Sequence, residues 1–151
     1  MKFVIKEFET TGYLSGDDLI FFYYDIGLDN LQGFPAIYDW DKNIAEFENI
    51  LDIKPCKLDE MPDKVDKNCI RFTVSDNPQC DNNNIAAAFF RHLRNAFSHY
   101  SITENNSFFH IIDCNKTNCT MLGIVQSDLL KQFCFKLFDQ REDICNNPKH
   151  I

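Results

Sequence analysis

From Ile85 to Tyr100 the chain carries an unbroken helical signal, and no other segment limits the fold as tightly. At about 100° per residue, Ile85, Ala86, Phe89, Phe90, Leu93, Ala96, Phe97 and Tyr100 fill one continuous arc. A stripe that wide has to be buried against other elements. The opposite arc holds Asn84, Ala87, Ala88, Arg91, His92, Arg94, Asn95, Ser98 and His99. It has no Asp, Glu or Lys, and no acid occurs between Asn82 and Thr103. Its two alanines leave room for another backbone to come close. Just ahead, Ser75 to Asn84 is polar, with Pro78 and a run of asparagines, and reads as a loop that caps this helix.

The surrounding segments predict a mainly α fold, a helical bundle with one small β-hairpin before the last helix. Ser15-Gly16-Asp17-Asp18 opens an aromatic-rich helix that runs towards Leu31 and stops at Gly33 and Pro35. Asp41 to Leu51 reads as an amphipathic helix, with Ile44, Phe47 and Leu51 at helical spacing. Asp52 to Asn68, acidic and interrupted by Pro55 and Pro62, reads as a surface loop. Phe3 to Phe8 fits helix or strand, and Cys69 to Val74 alternates over too few residues to assign. Phe108 to Cys114 and Cys119 to Val125 predict two strands joined by the polar turn Asn115 to Asn118. Ser127 or Asp128 caps a last helix, with Leu130, Phe133, Cys134, Leu137 and Phe138 on its buried stripe. Residues 1–151 read as a single domain, with 141–151 expected to fray.

At 151 residues the chain has enough length for one core. With 23 acids against 15 bases its net charge is -8, which argues against broad coating of nucleic acid or anionic lipid and leaves room for a small local site. No stretch reaches the roughly 18 apolar residues of a membrane span, and the charged start does not resemble a secretory signal. A cytoplasmic protein is expected. The seven cysteines lack CxxC spacing, so no metal site is expected, and they read as reduced thiols that mostly fill the core.

The acid-free arc sets the chemistry. Histidine is the side chain that gives and takes a proton near neutrality, and arginine presents a permanent, planar charge that fits phosphate oxygens. Together they suit RNA cleavage: the ribose 2′-OH attacks phosphorus, His moves protons, and Arg steadies the transition state. Arg94 and His99 are five residues apart, about 140° round the helix, so one helix cannot aim both at one point. Two copies of the 84–100 helix packed across a two-fold axis can, each giving an Arg and a His.

Leu93-Arg94-Asn95-Ala96-Phe97-Ser98-His99-Tyr100 resembles the signature of HEPN domains, R-x4–6-H with Asn after the Arg. The order of elements from about Ile20 to Phe138 is similar to a plasmid-borne bacterial HEPN subfamily. The resemblance implies a HEPN-like helical bundle. It implies a homodimer with the signature helices face to face, and a metal-independent endoribonuclease leaving a 2′,3′-cyclic phosphate, in a toxin or phage-defence setting. By position, Arg94 and His99 become the catalytic pair with Asn95 as polar support. Apart from the resemblance, Arg91, one turn before Asn95 on the same arc, together with Ser98 and Tyr100, is read as a candidate substrate-binding residue. No cofactor is implied, and an antitoxin protein is a conceivable partner. Toxins silenced by a nucleotidyltransferase antitoxin carry a Tyr two places after the His; here that place is Ser101.

His92 reads as a satisfied structural histidine, His110 and His150 as plain surface or edge residues, and Trp40 as core or rim packing. The Phe-rich helices, with Phe21, Phe22, Phe133, Phe135 and Phe138, read as core. Asp59, Glu60, Asp63 and Asp66 form a solvated acidic loop. Two other function classes compete: a non-catalytic HEPN module that binds RNA, a nucleotide or a protein, and a purely structural interaction domain.

Overall fold

The computed structural model describes residues 16–22, 40–99 and 101–146, with the side chains of 19 and 138–146 outside that description. The expected segment Phe3 to Phe8, the helix between 23 and 31, Tyr100 and His150 lie outside it. Within it, the fold is mixed α/β around a five-stranded sheet, which corrects the expected mainly helical bundle. In chain order the elements are α1 (Gly16–Ile20), α2 (Trp40–Ala45), β1 (Asp52–Pro55), β2 (Cys69–Phe72), α3 (Ile85–Ser98), β3 (Ile102–Asn105), β4 (Phe108–Cys114), β5 (Cys119–Gln126) and α4 (Ser127–Asn146). The strand order is β1-β2-β5-β4-β3.

Three departures from the expected pattern build this sheet. The segment expected as a loop contains β1, which pairs in parallel with β2, Ile53 opposite Ile70. The alternating stretch from Cys69 is a strand, and it pairs antiparallel with β5 from Cys69–Ile124 to Phe72–Met121. The unassigned residues after the signature helix form β3, paired with β4 from Ile102–Ile111 to Asn105–Phe108. Asn106 and Ser107 both have positive φ, 52° and 67°, the sign pattern of a type I′ turn, whose twist suits a two-residue hairpin. The expected β4–β5 hairpin is present, with Asn115 Oδ1 accepting from the Thr117 and Asn118 amides at 2.9 and 2.8 Å across its turn.

Parity along the strands decides what faces the helices. Phe109 and Ile111 of β4, Met121 and Val125 of β5, and Ile70 and Phe72 of β2 join the main core with α3 and α4. On the other side Ile112, Leu122 and Cys119 form a small second cluster with Val65 and Cys114. Trp40 sits at the centre of an aromatic group, its ring 5.3–5.8 Å from those of Phe72, Phe89 and Phe133. Gly123 lies between β2 and β4, opposite both Ile70 and Ile111. A Cβ there would come within 2.7 Å of Ile70 Cγ1, so only glycine lets these strands close up.

The helices are shorter or longer than their periodicity predicts. The Asp41 to Leu51 helix is only α2, followed by turns closed by Phe47 N–Ile44 O and Ile50 N–Phe47 O. α4 starts directly after β5 and continues to Asn146, into the stretch expected to fray. Leu130, Phe133, Cys134 and Leu137 are buried on it, while Phe135, expected in the core, is exposed. Lys131 pairs with Asp18 and Lys136 with Glu46, tying α4 to α1 and to the turns after α2. No described helix is long and apolar enough to cross a membrane.

Candidate functional site

The signature helix α3 begins where Asn84, with an extended backbone, accepts the Ala87 amide on its side-chain oxygen at 2.9 Å. That satisfies one of the free N–H groups of the first turn. The helix then carries Phe89, Phe90, Leu93, Ala96 and Phe97 into the core, as the periodicity requires. Its last turn ends at His99, whose amide donates to the Asn95 carbonyl at 3.0 Å.

The polar arc is less open than the sequence alone implies, because two other elements bring acids to it. Asp81, in the preceding loop, is buried and receives Arg91 through both carboxylate oxygens, Nε at 2.7 Å and Nη2 at 2.8 Å. The same carboxylate accepts the Ser75 amide at 2.8 Å. Burial alone would raise the Asp81 carboxyl. The Arg91 hydrogen bonds, the Ser75 amide and the nearby positive charges outweigh it and hold the group below the usual carboxylate range. Asp81 raises Arg91 in turn. Arg91, expected to touch substrate, therefore spends its charge clamping the 75–81 loop onto the helix.

Asp113, on β4, is the second acid. It shares strand parity with Phe109 and Ile111, which places its side chain on the helix side of the sheet. Its Oδ2 lies 2.7 Å from His92 Nδ1, and the Asn95 side chain donates to the same oxygen at 3.5 Å. His92 is fully buried, and its Nε2 lies 2.8 Å from the Thr73 carbonyl oxygen. Nδ1 thus faces a carboxylate, while Nε2 lies between the Thr73 carbonyl and Arg91 Nη2, the latter at 3.2 Å. This histidine links α3 to β4 and to the end of β2, in line with the structural role expected for it. Ala88 is also fully buried in the chain's own core, and Ala87 half-buried. The alanine pair expected to admit a second copy is therefore largely used internally.

What remains open is the last turn and a half of the helix. Arg94 is half-buried, and its Nη2 donates to the Asn95 side-chain oxygen at 3.3 Å. Among the described residues no carboxylate lies within ion-pair distance of it, in contrast to Arg91. Ser98 and His99 are exposed, and the His99 carbonyl accepts from Ser101 Oγ at 3.4 Å. Asn95 connects the two environments, oriented by Asp113 on one side and by Arg94 on the other. Tyr100 lies outside the described residues.

The signals that sequence reasoning missed are Asp81 and Asp113. Asp81 lies ten residues before Arg91, across a loop, so no helical spacing relates them. Asp113 is recognisable only once the β4 parity and the β4–α3 packing are known. Among the described residues no three His, Cys, Asp or Glu side chains are grouped to hold a metal ion. No protein-family model, curated protein or solved structure matches the chain, so the likeness to HEPN domains rests on the 93–100 octapeptide, within a fold that is not a helical bundle.

Proposed function

We propose that the chain is a metal-independent endoribonuclease that uses HEPN-type chemistry without a HEPN-type bundle. Arg94 and His99 form the catalytic pair and Asn95 positions Arg94. The observation that carries the reading is the contrast between the two arginines of α3. Arg91 is neutralised by Asp81, while Arg94 has no carboxylate partner among the described residues and lies five residues before the exposed His99. A cation without a carboxylate partner, on a helix end that also exposes an imidazole, suits an anionic substrate once a second copy brings the two groups together.

In this reading the 2′-OH loses its proton to a His99 ring, and the oxygen attacks the adjacent phosphorus. The 5′-oxygen leaves with a proton from the second His99, and Arg94 stabilises the charge on the phosphoryl oxygens. Two copies meet through the 94–99 end of the helix, because the 75–81 loop and β4 cover the other end of the polar arc. Ser98 donates to a phosphate oxygen in this reading, which its exposure at the end of α3 supports. The setting is a cytoplasmic toxin or phage-defence protein, with an antitoxin protein as a further partner. With net charge -8, and Arg91 of α3 already held by Asp81, the footprint on RNA is short and the substrate single-stranded.

The test compares cleavage of a short single-stranded RNA by the wild type, Arg94→Ala and His99→Ala, with circular dichroism confirming the fold of each. Both variants lose activity by about 10²-fold or more and keep their secondary structure. RNA binding by the wild type without cleavage would replace the nuclease with the non-catalytic binding module. Undiminished cleavage by His99→Ala would remove the mechanism.

A further inference from the structure

Cys114 ends β4 and Cys119 begins β5, and their Cα positions are paired across the hairpin. Their Sγ atoms are 2.9 Å apart. We propose that these two residues are a thiol–disulfide exchange site, a dithiol that low-molecular-weight disulfides oxidise to a bridge across the β4–β5 hairpin. A disulfide needs 2.03–2.05 Å between sulfurs, so the bond forms on a closure of about 0.9 Å. The turn between them is held by Asn115 Oδ1, which accepts from the Thr117 and Asn118 amides, so the strand ends stay together while the sulfurs react.

The two thiols have different parts. Cys114 is half-buried and within reach of a small reagent, whereas Cys119 is 5 % exposed. The hydrogen bond shared with Cys119 lowers the Cys114 thiol against the opposing effect of burial. The same contact, together with burial, pushes the Cys119 thiol far upward. Cys114 is therefore the attacking sulfur and Cys119 the resolving one.

In the first step the Cys114 thiolate bonds to one sulfur of a small disulfide, whose S–S bond breaks, and the departing thiolate takes a proton. In the second, the Cys119 sulfur bonds to Cys114, the mixed disulfide breaks, and the second small thiolate leaves and takes the Cys119 proton. Two protein thiols are oxidised and one small disulfide is reduced to two thiols. The other described cysteines lack this arrangement. Cys134 is buried among apolar groups, Cys56 faces the Met61 sulfur at 4.0 Å, and Cys80 is exposed beside Asp81.

The experiment equilibrates the full chain in mixtures of reduced and oxidised glutathione. Samples are quenched in acid, alkylated with N-ethylmaleimide, digested and mapped by mass spectrometry. Cys114 and Cys119 should lose alkylation together, a bridged peptide with two fewer hydrogens should appear, and dithiothreitol should restore both thiols. Cys80 serves as the exposed single-thiol control and forms an adduct with no bridge. In Cys119→Ser the glutathione adduct should persist on Cys114, on the order of tenfold above its wild-type level. In Cys114→Ser, Cys119 should stay unmodified until the protein is denatured. Wild-type protein that keeps both thiols free in buffer dominated by oxidised glutathione would overturn the proposal. So would a stable glutathione adduct on wild-type Cys114 with no bridge.

Discussion

Replacing Gly123 by alanine tests the sheet at its centre. The added Cβ would stand 2.7 Å from Ile70 Cγ1 and 3.3 Å from Ile70 Cβ and Cγ2. Comfortable carbon–carbon contacts are about 3.5–4.0 Å, so Ile70 Cγ1 has to move by close to 1 Å. It has little freedom to do so. Ile70 is fully buried, Cγ1 is not the tip of its side chain, and a β-branched residue is stiff at χ1. β5 cannot recede either, since it is paired on both sides. Overpacking of this kind costs about 1–3 kcal/mol. The reduced entropy of the unfolded chain returns about 0.4–1 kcal/mol. The expected result is a net loss of about 1–2 kcal/mol, read by urea denaturation at unchanged m-value. Ile70→Ala removes the offending atoms and costs about 2–5 kcal/mol by itself. In that background Gly123→Ala should be neutral or stabilising, a coupling of about 1–2 kcal/mol in the double-mutant cycle. If the alanine is harmless in the wild type, or equally harmful in both backgrounds, β2 does not pair with β5 in this register and the sheet is wrong.

Three further outcomes follow from the contacts around α3 and the hairpin. His92→Ala strips the buried Asp113 of its 2.7 Å partner and should cost about 3 kcal/mol by chemical denaturation, with Asp113→Asn adding much less on top because the two act as one unit. Asp81 is held below its unfolded pKa of about 3.9, so its stabilising effect is fully present above that pH and is lost as pH falls through the lower folded value. Thermal melts between pH 7 and pH 2 should therefore show a steeper acid-side loss for wild type than for Asp81→Asn. Oxidising Cys114 and Cys119 closes a six-residue loop, worth about 2 kcal/mol on a chain-entropy basis, and should shift the urea midpoint upward by a corresponding amount that dithiothreitol reverses.

The parts legible in the sequence are those where one long element carries its own period. α3 over Ile85–Ser98 of the expected 85–100, the β4–β5 hairpin with its asparagine turn, and the buried Leu130, Phe133, Cys134 and Leu137 of α4 stand where the pattern puts them, Phe138 lying outside the described side chains. The sheet was hidden because its remaining strands have four residues each, too few for alternation to register. β1 also ends on Pro55, a residue that argues for a loop unless the strand is at an edge, as it is here. The β2–β5 pairing joins segments about fifty residues apart, which leaves no local trace. The Asn106-Ser107 turn did carry a signal, since asparagine readily takes positive φ, and it could have revealed β3.

The candidate site divides along the same line. Residue types on the polar arc of α3 were readable from the wheel, but their partners were not. Arg91 and Arg94 look alike in sequence, and only the position of Asp81 separates a structural clamp from an arginine with no carboxylate partner among the described residues. Ala88 sits on the polar arc of the wheel and is nonetheless fully buried in the main core. A helical wheel tells which residues share a face and says nothing about what covers it.

The most direct measurement is the chemistry of the RNA ends left by the unaltered protein in EDTA. Wild type should cut single-stranded RNA without divalent metal and leave a 2′,3′-cyclic phosphate, identified by mass spectrometry, and a 2′-deoxy substitution at the scissile position should block that cut. His99→Ala should slow it by about 10²–10⁴-fold. No cleavage at stoichiometric protein, a strict need for Mg²⁺, or the same cyclic ends at the same rate from His99→Ala would contradict the assignment of Arg94 and His99.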